Sequence, residues 1–217
     1  MNSIHSIPRK LALAIFAFVA LFNTSFGASI SDMNKDALAA MKSGKWAEAQ
    51  AILVKATNSY DARAPQLYGP RFGWFWYHRG YCEIKLGMFG DAMKSFEKCY
   101  KRYPNTTPKE GQAPSKNMYN KLSLLMWGHA AKGAEEWATS IRMYKKFLEE
   151  RDPTRDRYEK GVYFINMAIN HYKLNKISEG NKYLETAIQN KVTFPTPNKG
   201  IMAAFNTMVA SVIEKKD

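Results

Sequence analysis

The positions of small and large side chains along this chain follow a pattern that repeats four times. Each repeat centres on a residue suited to a turn, and these anchors are Gly44, Gly87, Glu135 and Asn175. A small residue lies seven positions before each anchor, namely Ala37, Gly80, Gly128 and Ala168. Large apolar residues follow two positions after the anchors, namely Trp46, Phe89, Trp137 and Ile177. A small and a large residue stand five and nine positions after, namely Ala49 and Leu53, Ala92 and Phe96, Ser140 and Tyr144, Gly180 and Leu184. Small residues allow two helices to cross closely, and large ones fill the gap to the neighbouring pair. The pattern therefore predicts four helix–turn–helix pairs.

This pattern resembles the tetratricopeptide repeat family, whose unit is a helix–turn–helix of about 34 residues. The resemblance is strongest between Trp76 and Phe96 in the second repeat. It implies an all-α fold, a right-handed superhelix of about four repeats with a C-terminal capping helix. It also implies a protein that binds partners and catalyses nothing. The chain departs from the family at Arg79 and Glu83, where apolar packing residues are usual, and we expect these two to pair across one helical turn.

The predicted solenoid forms one domain over residues 28–217. Its units span about 31–59, 70–104, 117–152 and 157–189, with a longer loop at 60–70 and a second insertion at 105–115. Ser31 or Asp32 is expected to cap the first helix. A last helix over about 199–214 has apolar residues on one stripe and suits the cap that a repeat array needs. Alternatively, it is the first helix of a fifth unit that a partner chain completes.

The N-terminus has the features of a secretory signal peptide. Arg9 and Lys10 precede the apolar run 11–22, which is too short to span a membrane as a helix. Ser25 and Gly27 meet the small-residue requirement of a cleavage site, so we predict a signal peptide over 1–27, cleaved after Gly27. No cysteine follows the run, which disfavours a lipid anchor. The product is expected to be periplasmic or secreted, without a membrane span after cleavage; the alternative is an uncleaved N-terminal anchor.

The chain is strongly basic, with a formal net charge of +13. The predicted signal peptide carries two basic residues and no acidic one, so cleavage lowers the charge from +13 to +11. An exported basic protein suits acidic proteins, anionic envelope polymers or lipid headgroups better than nucleic acid, and we expect no nucleic-acid partner. Alternatively, the charge only keeps an aromatic-rich solenoid in solution.

Candidate residues for catalysis or metal binding are sparse. Two cysteines, Cys82 and Cys99, are too few for a disulfide framework, and their spacing leaves open whether they form a bridge. His78, His129 and His171 belong to three different predicted helices, so no metal site and no cofactor is expected. No nucleophile lies at a suitable spacing from a base, and no glycine-rich phosphate loop is present. We therefore predict that the protein is not an enzyme.

The resemblance implies that the first helices of the units line a concave groove. Residues two, three, six, ten and thirteen positions before each anchor share one face of a helix. The partner-binding residues predicted on this face are Trp74, Tyr77, Tyr81, Lys85, His129, Lys132, Tyr172 and Lys173. Together with Lys42, three of these form a row of four lysines at equivalent places. Alternatively, these lysines are solvated and favoured only by the helix dipole.

The favoured function is an exported adaptor or scaffold that binds a protein or peptide partner through this groove. A role in envelope assembly or in an envelope machinery suits the predicted compartment, and an acidic partner suits the lysines. One alternative is a binding module for an anionic cell-envelope polymer. The other is a non-catalytic helper subunit of an enzyme. The sequence leaves the partner and the oligomeric state open.

Overall fold

A computed structural model describes residues 29–105, 117–150 and 160–189, with only the backbone at positions 160, 161, 188 and 189. The predicted signal peptide and the predicted last helix at 199–214 lie outside these residues. Within the described ranges, none of the helices has the length and apolarity needed to cross a lipid bilayer.

Eight helices form four consecutive helix–turn–helix pairs. The pairs are α1 (Ile30–Lys42) with α2 (Trp46–Tyr60), α4 (Gly73–Lys85) with α5 (Phe89–Arg102), α6 (Asn120–Gly133) with α7 (Trp137–Glu150), and α8 (Lys160–Lys173) with α9 (Ile177–Gln189). Each of these helices packs against the next one in sequence, and α4 also contacts α6. No strand occurs in the part of the chain that the structure describes. The prediction of an all-α repeat solenoid is confirmed.

The four predicted anchors all adopt the left-handed backbone conformation at the turn inside a pair. The φ angles are 71° at Gly44, 74° at Gly87, 60° at Glu135 and 56° at Asn175. Glycine adopts this conformation without steric cost and asparagine tolerates it. Glu135 does so although it has a Cβ, so the geometry of the turn outweighs the local preference of the residue.

Small residues make the crossing inside each pair possible. A Cβ added to Gly80 would lie 2.8 Å from the ring of Phe96, and one added to Gly128 would lie 2.9 Å from the ring of Tyr144. The large residue nine positions after an anchor therefore packs on the small residue of its own unit, and not only in the gap to the next unit as the sequence suggested. At the same crossing, the hydroxyl of Ser140 donates to the Gly128 carbonyl at 2.8 Å.

Two local predictions are wrong. The cap of α1 is Ser29, whose hydroxyl accepts from the amide of Asp32, while the Asp32 carboxylate accepts from the amide of Ser29. The segment 60–70 is not simply a loop, because it contains the short helix α3 (Ala64–Leu67) and leads into the 3₁₀ helix Gly69–Phe72. We call residues 61–72 the insert.

A shared carboxylate fixes the start of the insert. Asp61 accepts hydrogen bonds from the indole of Trp76 at 2.7 Å and from the hydroxyl of Tyr103 at 2.6 Å, and it also pairs with Arg102. At the other end, Phe72 is buried between the rings of Phe75 and Tyr103. The insert is thus held against the second unit at both ends.

The expected pair of Arg79 and Glu83 is confirmed, with Arg79 Nε 2.8 Å from Glu83 Oε1. Glu83 is fully buried, and its other oxygen accepts from Ser95 at 2.7 Å. Arg79 also donates to Thr57 on α2 at 3.0 Å. Groups from helices of two units therefore satisfy this charged position.

Both cysteines are free and buried. The thiol of Cys99 donates to the carbonyl of Gly73 at 3.2 Å, which ties α5 to the start of α4. Burial raises the pKa of each thiol to about 11, so neither is a reactive thiolate near neutral pH.

The packing predicts different effects for two substitutions on the same helix. Ala92 is fully buried on α5, and Ala92→Leu should lower the free energy of unfolding by about 1–3 kcal/mol because the added atoms overfill the crossing. Lys94→Leu, at an exposed position, should change it by less than about 0.5 kcal/mol. Denaturant unfolding measures both. Equal effects would contradict the packing of this unit.

Candidate functional site

The candidate site is the face formed by the first helices of the units, here called the first-helix face. Helices α6 and α8 carry lysines and no acidic residue along their whole length. The side chains that they and α4 place on this face are aromatic, aliphatic or basic, and most are half-buried. A surface of this kind offers apolar contact area next to positive charge.

Two of the predicted aromatic residues belong to a cluster of rings. Trp74 stacks on His78 with centroids 4.3 Å apart, and Tyr77 lies 4.7 Å from Tyr119. Tyr119 also approaches His78 at 5.0 Å. Tyr119 directly precedes α6, so the cluster joins the second and third units. The face at this point is built from side-chain contacts between units.

Tyr81 and Lys85 form a second group together with Trp46 of the first unit. The ring of Tyr81 meets the ring of Trp46 edge-on at 5.9 Å. The ammonium of Lys85 lies 5.6 Å from the centroid of Trp46 and 5.4 Å from that of Tyr81. Lys85 is exposed and makes no hydrogen bond to the described residues, so its ammonium can still bind an anion while the rings hold it in place.

The lysines of the predicted row are not equivalent. Lys173 follows the pattern of Lys85, because its ammonium lies 5.8 Å from the ring of Trp137 in the preceding unit. Lys132 shows no such ring contact among the described residues, and the ring at the equivalent place, Phe89, packs beside Gly133. The ammonium of Lys132 instead donates to Asn166 Oδ1 on α8 at 2.7 Å, and burial lowers its pKa. Lys132 thus bridges two units, while Lys42, Lys85 and Lys173 are exposed.

His129 and Tyr172 contact the second helix of their own units. His129 Nδ1 lies 3.0 Å from the hydroxyl of Tyr144 on α7. Tyr172 packs across Gly180 and donates to Asn181 on α9 at 2.9 Å. Both side chains are half-buried, so each offers part of its ring to the first-helix face and uses the rest in packing.

The structure therefore brings four of the eight predicted residues together in two groups, Trp74 with Tyr77 through His78 and Tyr81 with Lys85. The other four each contact a residue outside the predicted set. Sequence reasoning missed His78, Tyr119 and Trp46 as members of these groups. Trp46 was visible as the large residue after an anchor, but nothing in the sequence placed it beside Lys85. Tyr119 lies outside the helical positions that the repeat marks.

The ionisable groups of this face differ in whether they carry charge at neutral pH. No group of histidine, cysteine or acidic side chains within the described ranges is arranged to hold a metal ion. The tyrosines here have pKa values raised by burial where they are shifted, and the shifted histidines have lowered ones, so neither group supplies charge at neutral pH. The lysines are the charged groups that remain to attract a ligand.

Comparison with known proteins agrees with this architecture. Residues 75–106 match the family model of the tetratricopeptide repeat. MamA from Desulfovibrio magneticus RS-1 superposes with a TM-score of 0.55 at 13% identity, over 76% of this chain and 77% of that one. The structure of MamA AMB-1 gives 0.57 at 13% identity, over 85% of each chain. No curated protein matches the sequence.

The fold and the repeat together define a helical-repeat solenoid of the protein-binding class. More narrowly, the second unit matches the tetratricopeptide repeat, and the other three units have the same helix–turn–helix arrangement. Because the MamA structures are only 13% identical to this chain, their similarity concerns the fold alone.

His129 predicts how stability depends on pH. Burial, followed by the nearby charge of Lys132, lowers its pKa from 6.5 to about 4. The unfolded chain then binds a proton at His129 more readily than the folded one. The contribution of neutral His129 to the free energy of unfolding is fully present above pH 6.5 and is lost as the pH falls towards 4. For one proton, the free energy of unfolding falls by up to about 1.4 kcal/mol per pH unit.

Urea unfolding of the wild type and of His129→Gln between pH 7.5 and 4 measures this contribution. The substitution should flatten the loss of stability on acidification, because the histidine that resists protonation is gone. His78 and His171 remain in both proteins, so the difference between the two curves isolates His129. Parallel curves would show that His129 titrates alike in both states.

Proposed function

We propose that this protein is an exported scaffold that binds an acidic protein or peptide through the first-helix face and acts in the cell envelope. The tetratricopeptide fold supports a protein-interaction scaffold, and the observation that carries the finer proposal is the character of this face. In proteins of this fold the first helices line the concave side. Here that side combines half-buried rings with exposed lysines, while α6 and α8 lack acidic residues.

The arrangement of charge and rings supports an extended anionic ligand. Lys85 and Lys173 occupy the same place two units apart, each above an aromatic ring of the preceding unit. Rings that hold an ammonium in place reduce the side-chain entropy lost when an anion binds. The half-buried aromatics supply apolar area, and the lysines supply long-range attraction.

Scaffolds of this fold are in general non-catalytic, and we propose no catalytic activity for this one. An anionic envelope polymer, or an enzyme for which this chain is a non-catalytic helper subunit, would bind to the same face. The experiment below separates a polymer from a protein partner, and the identity of the adduct shows whether that partner is an enzyme. Export rests on the N-terminal sequence. Cleavage after Gly27 would leave the capping box of Ser29 and Asp32 intact, because the first residue of the product would be Ala28.

The binding proposal is tested by photo-crosslinking in the source cells. In one variant a photoreactive residue replaces Tyr81 on the first-helix face. In a control variant the same photoreactive residue replaces Lys94 on α5. The first should yield one dominant protein adduct that the second lacks. Equal adducts from both positions, or retention on purified envelope polymer without a protein adduct, would contradict the proposal.

Charge reversal tests the role of the lysines. Lys85→Glu combined with Lys173→Glu should weaken capture of the crosslinked partner at least about tenfold and make the remaining binding less dependent on salt. Lys55→Glu combined with Lys94→Glu makes the same change of charge on the second helices and should leave capture unchanged. Lys132 is left intact because its hydrogen bond to Asn166 joins two units.

Both double variants should melt close to the wild type, since exposed charges contribute little to folding. A double reversal at Lys85 and Lys173 that binds as well as the wild type would show that these lysines serve solubility and that the partner binds elsewhere.

The compartment is tested by intact-mass measurement of the protein from native cells. The expected mass corresponds to a chain that begins at Ala28, and the protein should be released with the periplasmic or extracellular fraction. A retained N-terminus or an added acyl chain would contradict export as a free protein.

A further inference from the structure

A cleft of about 360 Å³ opens beside the insert, separate from the lysines of the first-helix face. Its walls come from the first turns of α1 and α4, from the insert, and from residues 117–119. Phe72, Trp74 and Tyr119 make the lining largely aromatic. Met118, which is 71% exposed, stands at the rim. The volume is at the lower end of the range of about 300–1,000 Å³ that small-ligand sites occupy.

The insert that forms one wall is held firmly in place. Asp61 binds Trp76 and Tyr103, and Phe72 is 1% exposed between neighbouring rings. On another wall, the side-chain Nδ2 of Asn117 donates to the backbone carbonyl of Tyr103 at 2.8 Å. The side-chain Oδ1 of Asn117 accepts from the backbone N–H of Tyr119 at 3.0 Å. A cleft with anchored walls binds a ligand without first ordering its own residues.

One charged side chain lines the cleft, and it is positive. Arg71 is exposed at the end of the 3₁₀ helix and has no hydrogen-bonding or ion-pair partner within the described ranges. No acidic residue lines the cleft. The first turn of α4 borders it and contains no acidic residue, so the positive end of this helix dipole adds a weak preference for an anion, whereas at α1 the Asp32 carboxylate offsets the dipole. The ligand that complements this lining is apolar with one negative group.

The remaining polar groups favour a peptide over a lipid. Asn34 lines the cleft, and its Oδ1 is buried without a donor from the described residues. Ser31 adds an exposed hydroxyl that can bond to an amide group. A peptide carries N–H donors along its backbone, whereas an acyl chain has none to offer these groups.

We propose that this cleft binds a short peptide segment in which an apolar side chain lies next to a carboxylate. The apolar side chain packs between the aromatic walls. The carboxylate pairs with Arg71, in the bidentate geometry that guanidinium groups favour. A chain end and an internal acidic residue offer the same carboxylate, and the test separates the two.

The probes are three acetylated peptides: Gly-Gly-Leu-Phe with a free carboxyl end, the same peptide amidated, and amidated Gly-Asp-Leu-Phe. Titration of the isotope-labelled mature protein, followed by NMR, reports affinity and location together. The amidated peptide without an acid should bind at least about tenfold more weakly than an acidic one. Shifts should concentrate at residues 68–75 and 117–119. Preference for the free end indicates a chain terminus, and preference for the internal acid indicates an internal segment.

Two matched pairs of variants test the residues. Arg71→Gln should reduce binding of the acidic peptide to the level of the amide, while Arg63→Gln, on the same insert but outside the lining, should not. Met118→Asp should weaken binding of all three peptides. Leu67→Asp, which alters another exposed apolar residue outside the lining, should not. All four positions are exposed, so the variants should fold.

Several results would overturn the proposal. The first is equal binding of the acidic peptides and of the amidated peptide without an acid. The second is an equal effect of Arg63→Gln and Arg71→Gln on binding of the acidic peptide. The third is no saturable binding of any of the three peptides up to about 5 mM. Binding of phosphatidylglycerol vesicles through Arg71 in place of the peptides would assign the cleft to lipid. Self-association that Met118→Asp abolishes would assign it to a second copy. None of these results bears on the lysines of the first-helix face.

Discussion

The close crossing of two helices inside each unit is the contact on which the rest of the solenoid depends. At Gly80 and Gly128 a ring of the partner helix lies within 2.8 and 2.9 Å of the place where a Cβ would be, which is too close for a larger residue. Because Phe96 and Tyr144 are seated there, the second helices approach closely enough to bury the small residues at Ala92 and Ser140. The turn between the helices must then be very short, which places Gly87 and Glu135 in the left-handed conformation.

The units are joined by contacts that differ from one junction to the next. Between the first and second units, Thr57, Arg79, Glu83 and Ser95 form a buried polar network in which the carboxylate has a partner at each oxygen. Between the third and fourth, Asn170 bonds to Ser140 at 2.8 Å, and a lysine–asparagine bond adds to it. At the first of these junctions both oxygens of the buried Glu83 carboxylate have partners, which is why this departure from the apolar pattern of the repeat is tolerated.

The insert sets this chain apart from a simple array of repeats. Its two short helices lengthen the connection between the first two units and bring Arg71 and Tyr68 to the N-terminal ends of α1 and α4. The first-helix face and the cleft share Trp74 and Tyr119, but their charged groups come from different parts of the chain. The repeat positions the lysines at regular intervals, while the insert and residues 117–119 build a local site.

The sequence by itself determined the repeat, the all-α fold, the positions of the turns and the pair of Arg79 and Glu83, since all of these depend on residues close in sequence or on a regular spacing. It did not determine which of the equivalent lysines remain exposed. Lys132 differs from Lys85 because Asn166, on the first helix of the next unit, lies within reach of its ammonium. The aromatic cluster around Tyr119, the helices of the insert and the cleft likewise depend on contacts between residues distant in sequence. Only the tertiary structure decides such contacts, because the packing of side chains at a junction between units does not follow the regular spacing of the repeat in the sequence.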